Sequence, residues 1–177
     1  MIQTQVLKLT KIKEMSFVAA FTALAVLTPW ITHEIGGIAT GKMFLPMHIF
    51  ILVAGLLLGW KQGLAVGILT PLISYSLSGM PLLMLLPFIT IEVAAYGLFA
   101  GIFREKLKLN IWFSLLGAMI IGRVILFSSI LLLPTKLQAM SYISGAVIAG
   151  WIGIVIQLIA VPVIVKALYN YLQDEKI

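Results

Sequence analysis

The chain has 177 residues, 12 Lys and Arg against 6 Asp and Glu, no cysteine, and a mean hydropathy of +1.14. Only 10% of it is charged, against about 25% in soluble domains, which excludes a soluble globular fold and a disordered chain alike. Without cysteine there is no disulfide framework, thiolate zinc site or cysteine nucleophile, and in so apolar a chain the net charge of +6 reports basic residues gathered at one membrane face, not a nucleic-acid surface.

Residues 1–14 place Lys8, Lys11 and Lys13 ahead of an apolar run from Met15 to Thr32. The outline is that of a signal peptide, but Ala23-Leu24-Ala25, which mimics a cleavage site, lies in mid-run and more membrane follows. The run is expected as an uncleaved first span, about 15–32. His33 to Lys42 (HEIGGIATGK) is expected as a glycine-rich loop. Span two, about 43–59, reaches crossing length only if it starts near Met43 and takes Pro46 into its first turn, where a missing N–H costs little. Gly59-Trp60-Lys61-Gln62-Gly63 then turns the chain into span three, about 63–77, which Pro71 is expected to kink. A short span beside a broken one, with polar groups at both ends, points to a pair that lines something; the alternative is two ordinary tilted helices.

Span four, about 82–103, ends in Arg104-Glu105-Lys106-Leu107-Lys108. Span five, about 111–133, is stopped by Pro134, and span six, about 143–168, leads into a polar tail. Spans of about 20 residues use up most of the length. The expected fold is an all-α integral membrane protein: one membrane domain over 1–177, a compact bundle of six transmembrane helices with no room for a soluble catalytic module.

The charges set the orientation. With both termini cytoplasmic, nine basic residues are inside (Lys8, Lys11, Lys13, Lys61, Arg104, Lys106, Lys108, Lys166 and Lys176) and two, Lys42 and Lys136, outside, while Arg123 lies within a span. Trp30, Trp60, Trp112, Tyr142 and Tyr169 fall near span ends, as interfacial aromatics do. Trp151 does not.

Gly36-Gly37-Ile38-Ala39-Thr40-Gly41-Lys42 matches the phosphate-loop pattern except that Met43 replaces the closing hydroxyl residue. The motif needs a preceding strand and a hydroxyl for magnesium, and it has neither here. A pliable lid over the short spans, or a plain connector, is the better reading.

Glu92 and Arg123 carry the sharpest signal. Each lies about halfway along its span, where a charge costs roughly 2.5–3.5 kcal/mol, so each is expected to face protein or a water-filled cavity. Similar depth on consecutive antiparallel helices allows them to pair, either as a packing device or beneath a ligand. Tyr96 stands one turn from Glu92 on the same face, and Trp151 offers a flat surface for stacking. His48 near the outer end of span two, and Ser74 and Tyr75 near that of span three, complete the polar candidates, although a lone histidine is more often a packing or capping residue. Its companion His33 is too distant in sequence for a metal motif. Gln157 is expected as a helix-to-helix hydrogen bond. Small-residue faces, Ala19-x3-Ala23, Gly55-x3-Gly59-x3-Gly63-x3-Gly67 and Gly97-x3-Gly101, mark close helix packing without naming the partner.

The chain resembles the substrate-binding S components of bacterial energy-coupling-factor (ECF) vitamin transporters. The likeness is carried by the size and span number, Phe44-Leu45-Pro46-Met47-His48 at the entry to a short second helix, and Ala-Gly-Leu-Leu-Leu-Gly-Trp-Lys-Gln-Gly at the inner turn. Leu-Thr-Pro-Leu-Ile-Ser, Ser-Gly-Met-Pro and Ile-Glu-Val-Ala-Ala-Tyr-Gly-Leu add to it, so that about residues 15–103 are covered well and the last two spans loosely. The resemblance implies a binding protein of the bacterial cytoplasmic membrane, its pocket open to the outside and gated by the loop after span one. It further implies docking, through the Ala19 and Ala23 position, on a coupling membrane protein and two cytoplasmic ATPases. Lys42, Met47 and Met80 join His48, Ser74, Tyr75, Glu92, Tyr96, Arg123 and Trp151 as candidate substrate contacts. Dimethylbenzimidazole, pantothenate, a pyridoxine-like ring and a pyrimidine precursor stay open as substrates; no cofactor, metal or catalytic residue is expected. An integral-membrane enzyme would need several carboxylates or histidines at the membrane surface, whereas of six acidic residues only Glu92 lies inside a span. A small structural or regulatory membrane protein is the remaining alternative.

Overall fold

The computed structural model describes residues 6–133 and 139–174, side chains excepted at 33, 38–44, 139–147, 149 and 174. It has six helices: α1 (Lys11–Phe44), α2 (Pro46–Leu58), α3 (Trp60–Ser78), α4 (Leu86–Glu105), α5 (Ile111–Leu132) and α6 (Ala139–Asp174). Among the described residues, stretches Lys11–Gly37, Leu86–Glu105, Ile111–Leu132 and Gly150–Gln173 are long and apolar enough to cross a membrane.

α2 sits at the centre, touching each of the other five helices. Its 13 residues span only about 20 Å, short of the roughly 30 Å hydrocarbon thickness. It tolerates this because Ile51 to Leu58 are all buried in protein, so its ends are met by other chain segments and not by lipid. One such end is capped from the N-terminal stretch, where the Leu7 N–H donates to the Leu57 carbonyl at 2.8 Å. The expected start of this helix at Met43 is corrected to Pro46. Leu45 breaks the chain just before it in a left-handed conformation (φ 48°, ψ 47°), and proline then occupies the first helical position.

Three further expectations change. The glycine-rich segment 33–42 is not a loop: α1 continues through it, interrupted at Gly37 (φ 72°), a backbone geometry that glycine adopts without penalty. α3 is not broken at Pro71 but runs on to Ser78; burial of Gly63, Val66, Gly67, Thr70, Pro71 and Ser74 along one face offsets the one missing backbone bond. α4 starts at Leu86, not near Leu82, because Pro87 favours the first turn.

The α2–α3 turn and α4 are locked together. A Cβ added at Gly97 would collide with the Gly63 carbonyl, one at Gly101 with the Trp60 backbone, and one at Gly67 would lie 2.7 Å from Ala94 Cα. The small-residue faces of α2, α3 and α4 therefore pack on one another. Glu105 finishes the joint by accepting the Trp60 N–H at 3.2 Å, a carboxylate at a helix N-terminus. Just past the same end of α4, Asn110 caps α5 by accepting the Phe113 N–H at 2.9 Å.

Two side chains near span ends are buried, and for Tyr169 this differs from the interfacial expectation. Arg104 is buried, with Nη1 donating to the Leu109 carbonyl at 3.3 Å. Tyr169 is buried too, its hydroxyl accepting from Gln173 Nε2 at 2.8 Å. Trp30 and Trp112 are exposed. Lys136 and the Tyr142 side chain lie outside the described residues.

Candidate functional site

Glu92 and Tyr96 are four residues apart on α4, so they share a face. The Tyr96 hydroxyl donates to Glu92 Oε1 at 3.0 Å. From α5, Arg123 Nη1 reaches the same oxygen at 3.0 Å. The side chain of Glu92 is 5% exposed and that of Arg123 17%. A charge pair so deep in an apolar bundle holds together because each partner would otherwise be stranded. The guanidinium has five donors, and Glu92 engages one nitrogen of the fork.

α2 supplies the third wall. The His48 ring lies 5.3 Å from the Tyr96 ring, tilted by 57°. His48 is 7% exposed, and among the described residues neither ring nitrogen has a hydrogen-bond partner of good geometry. The Cδ1–Cε1 edge of the Tyr96 ring abuts α5 at Gly122, where any Cβ would strike those carbons.

α6 closes the cluster. A Cβ at Gly150 would lie 3.0 Å from Leu45 Cδ1 and at an ordinary contact distance, 3.6 Å, from Arg123 Nη2, so the bare backbone at Gly150 chiefly leaves room for Leu45 beside the arginine. Gln157 Nε2 donates to the Leu45 carbonyl at 3.5 Å, the same carbonyl that accepts the His48 N–H at 3.1 Å. The expected helix-to-helix bond of Gln157 thus ties α6 to the α1–α2 break.

Of the candidate residues, Glu92, Tyr96, Arg123 and His48 come together. Ser74 is buried on α3; since Gly63 faces Gly97 and Gly67 faces Val93 and Ala94, Ser74 lies beyond the level of Glu92, toward the α3–α4 connection. Tyr75 and Met80 are half-buried near that connection. Met47 packs on the apolar core. Trp151 is 60% exposed on α6, one residue past Gly150, and is not among the residues brought together here. The side chain of Lys42 lies outside the described residues. Leu45, Gly122 and Gly150 belong to the site's frame and were not anticipated. A glycine seating an aromatic ring, or a left-handed leucine, leaves no mark in hydrophobic periodicity.

Ala19 and Ala23 are exposed on α1. They line an apolar groove of about 720 Å³ between α1 and α3, with Val18, Val26, Ala65 and Leu69 along it and Glu14, Lys61 and Gln62 at one end. Gln62 Nε2 donates to Glu14 Oε2 there at 3.0 Å.

A multi-helix apolar bundle with a buried, hydrogen-bonded charge pair and an open small-residue face is the frame of a membrane binding subunit. Residues 13–165 match the family described as ECF transporter, substrate-specific component, and the chain belongs to that family. It is a multi-pass membrane protein whose family role is substrate binding for uptake, a transport role and not an enzymatic one. Comparison with curated proteins and with solved structures returned no match.

Proposed function

We propose that this chain captures a small vitamin or vitamin precursor from outside the bacterial cytoplasmic membrane and holds it at the Glu92–Arg123–Tyr96–His48 cluster. All of 1–177 forms one membrane domain, its six helices embedded in the bilayer and both termini cytoplasmic, as the nine-to-two distribution of basic residues supports. The observation that carries the reading is the Glu92–Arg123 contact at 3.0 Å, sealed among four helices. An apolar structural bundle has no need of so costly a pair. The exposed Ala19 and Ala23 face is the docking surface for a coupling transmembrane protein that in turn engages a pair of ATPases. Small residues beside an open groove let another helix approach closely.

Equilibrium binding to the purified protein in lipid nanodiscs, against a panel of vitamins and precursors, tests this. Saturable binding of one compound is expected. A folded protein that binds none of them would favour a structural or regulatory role.

A further inference from the structure

We infer that the groove between α1 and α3 holds an anionic phospholipid whenever no partner protein covers it. An acyl chain lies along Ala19, Ala23 and Ala65, and the phosphate sits at Lys11 and Lys61. A coupling protein that docks at this face then has to displace the lipid.

The groove has the shape of a chain. On α3 it is lined at every fourth position by Lys61, Ala65, Leu69, Ile73 and Leu77. On α1 the matching row is Met15, Ala19, Ala23 and Leu27. Such rows are the ridges of a helix surface, so the groove runs lengthwise between two of them. Its charged lining residues, Glu14 and Lys61, are confined to one end. The alanines widen the groove nearest that end, and larger side chains narrow it beyond. From Glu14 to Ala23 along α1 is about 14 Å at the helical rise per residue, close to half of the roughly 30 Å hydrocarbon thickness. The wide part therefore has the reach of one leaflet.

The charged end suits an acidic headgroup. α1 begins there at Lys11 and α3 at Trp60, so the positive ends of two helix dipoles share one level. Lys61 Nζ stands 5.5 Å from the Trp60 ring centroid, and Lys11 precedes Met15 by one turn on the α1 row. Both lysines are exposed, and among the described residues neither has a carboxylate within ion-pair distance. Glu14 is instead engaged by Gln62 Nε2 at 3.0 Å. Glu105, the other acid at this level, is turned to the Trp60 N–H and Lys106. Two lysines beside one carboxylate leave this end with one positive charge, the complement of a single phosphodiester. A headgroup that carries its own cation would cancel the attraction.

A second copy of the chain is a poorer occupant. Two copies in one orientation would set Lys8, Lys11, Lys13 and Lys61 of each at the same level, where like charges repel. An anionic lipid brings the opposite charge, and each lysine near the membrane surface adds to its hold.

The test titrates the full chain in detergent with phosphatidylglycerol, phosphatidylethanolamine and phosphatidylcholine of identical acyl chains. Bound lipid is counted by native mass spectrometry. One phosphatidylglycerol should bind at least about tenfold more tightly than either zwitterionic lipid. Lys11→Gln and Lys61→Gln should each lower that affinity about fivefold and leave phosphatidylcholine affinity unchanged. Glu14→Gln, which removes the opposing charge, should tighten phosphatidylglycerol binding. Leucine at both Ala19 and Ala23 should weaken all three lipids, because the acyl chain loses its bed. Equal affinities for the three lipids would overturn the inference, as would unchanged phosphatidylglycerol affinity in both lysine variants. A dimer that excludes lipid would give the face to a second copy and overturn it too. Docking is read separately, by uptake with the coupling module, so each reading can fail while the other stands.

Discussion

Gly63 of α3 and Gly97 of α4 meet backbone to backbone, with no space for a side chain on either. The contact sets the height of α4 against the α2–α3 pair. Because Glu92 and Tyr96 lie within the two turns beside Gly97, the same contact also fixes the level of the charge pair relative to His48 on α2.

Gly97→Leu should therefore separate the helices. Overpacking on this scale costs about 1–3 kcal/mol and occasionally more, so the midpoint of thermal unfolding in detergent is expected to drop by roughly 4–10 °C. Ile120→Ala on α5, where the side chain is 63% exposed, should change it little. An equal loss in both variants would mean that Gly97 is not a special contact.

Most of the helical layout was legible in the sequence because lengths and turn residues carry it. Six helices appear where six apolar runs stand, and Pro46 takes its first-turn place. What was hidden is what side chains do after the helices meet. The depth and sign of Glu92 and Arg123 pointed to a pair, and geometry supplies it at 3.0 Å. Trp151 was singled out by depth alone, and depth does not say which face of α6 it occupies. The segment around Gly37 misled through its glycines: glycine lowers helix propensity by about 1 kcal/mol, a penalty smaller than that of leaving backbone groups unpaired near a membrane. Arg104 was counted among the inner charges, and its burial against the Leu109 carbonyl is a packing detail that a charge count does not carry.

The orientation predicts a labelling pattern. In this cysteine-free chain, a single cysteine at exposed Ser78, the last residue of α3, should react with an impermeant thiol reagent applied to intact cells. Cysteines at exposed Lys61 and Lys106 should react only after the cells are opened. Labelling of the Lys61 position from outside would invert the bundle.

The α1 face predicts a separation of two activities. Leucine at both Ala19 and Ala23 would fill the groove mouth beside α3 and block close approach of another helix. Uptake in cells with the coupling module should fall at least about tenfold, while the purified variant binds substrate with unchanged affinity. Loss of binding would make these alanines part of the substrate site's support, and unchanged uptake would remove the docking surface.

The most direct measurement is the substrate affinity of the double variant Glu92→Gln, Arg123→Met. Either single change strands a buried charge and should destabilise the protein by about 3–5 kcal/mol. The double change removes both charges, keeps the side chains near their original size, and should restore the unfolding midpoint toward that of the parent chain. With the fold recovered, binding isolates what the pair does for the ligand. Affinity at least about 100-fold below the parent is expected, because the ligand then loses charge-assisted hydrogen bonds within the bundle. A folded double variant that binds as tightly as the parent would contradict the placement of substrate at Glu92 and Arg123 and leave the pair as scaffolding.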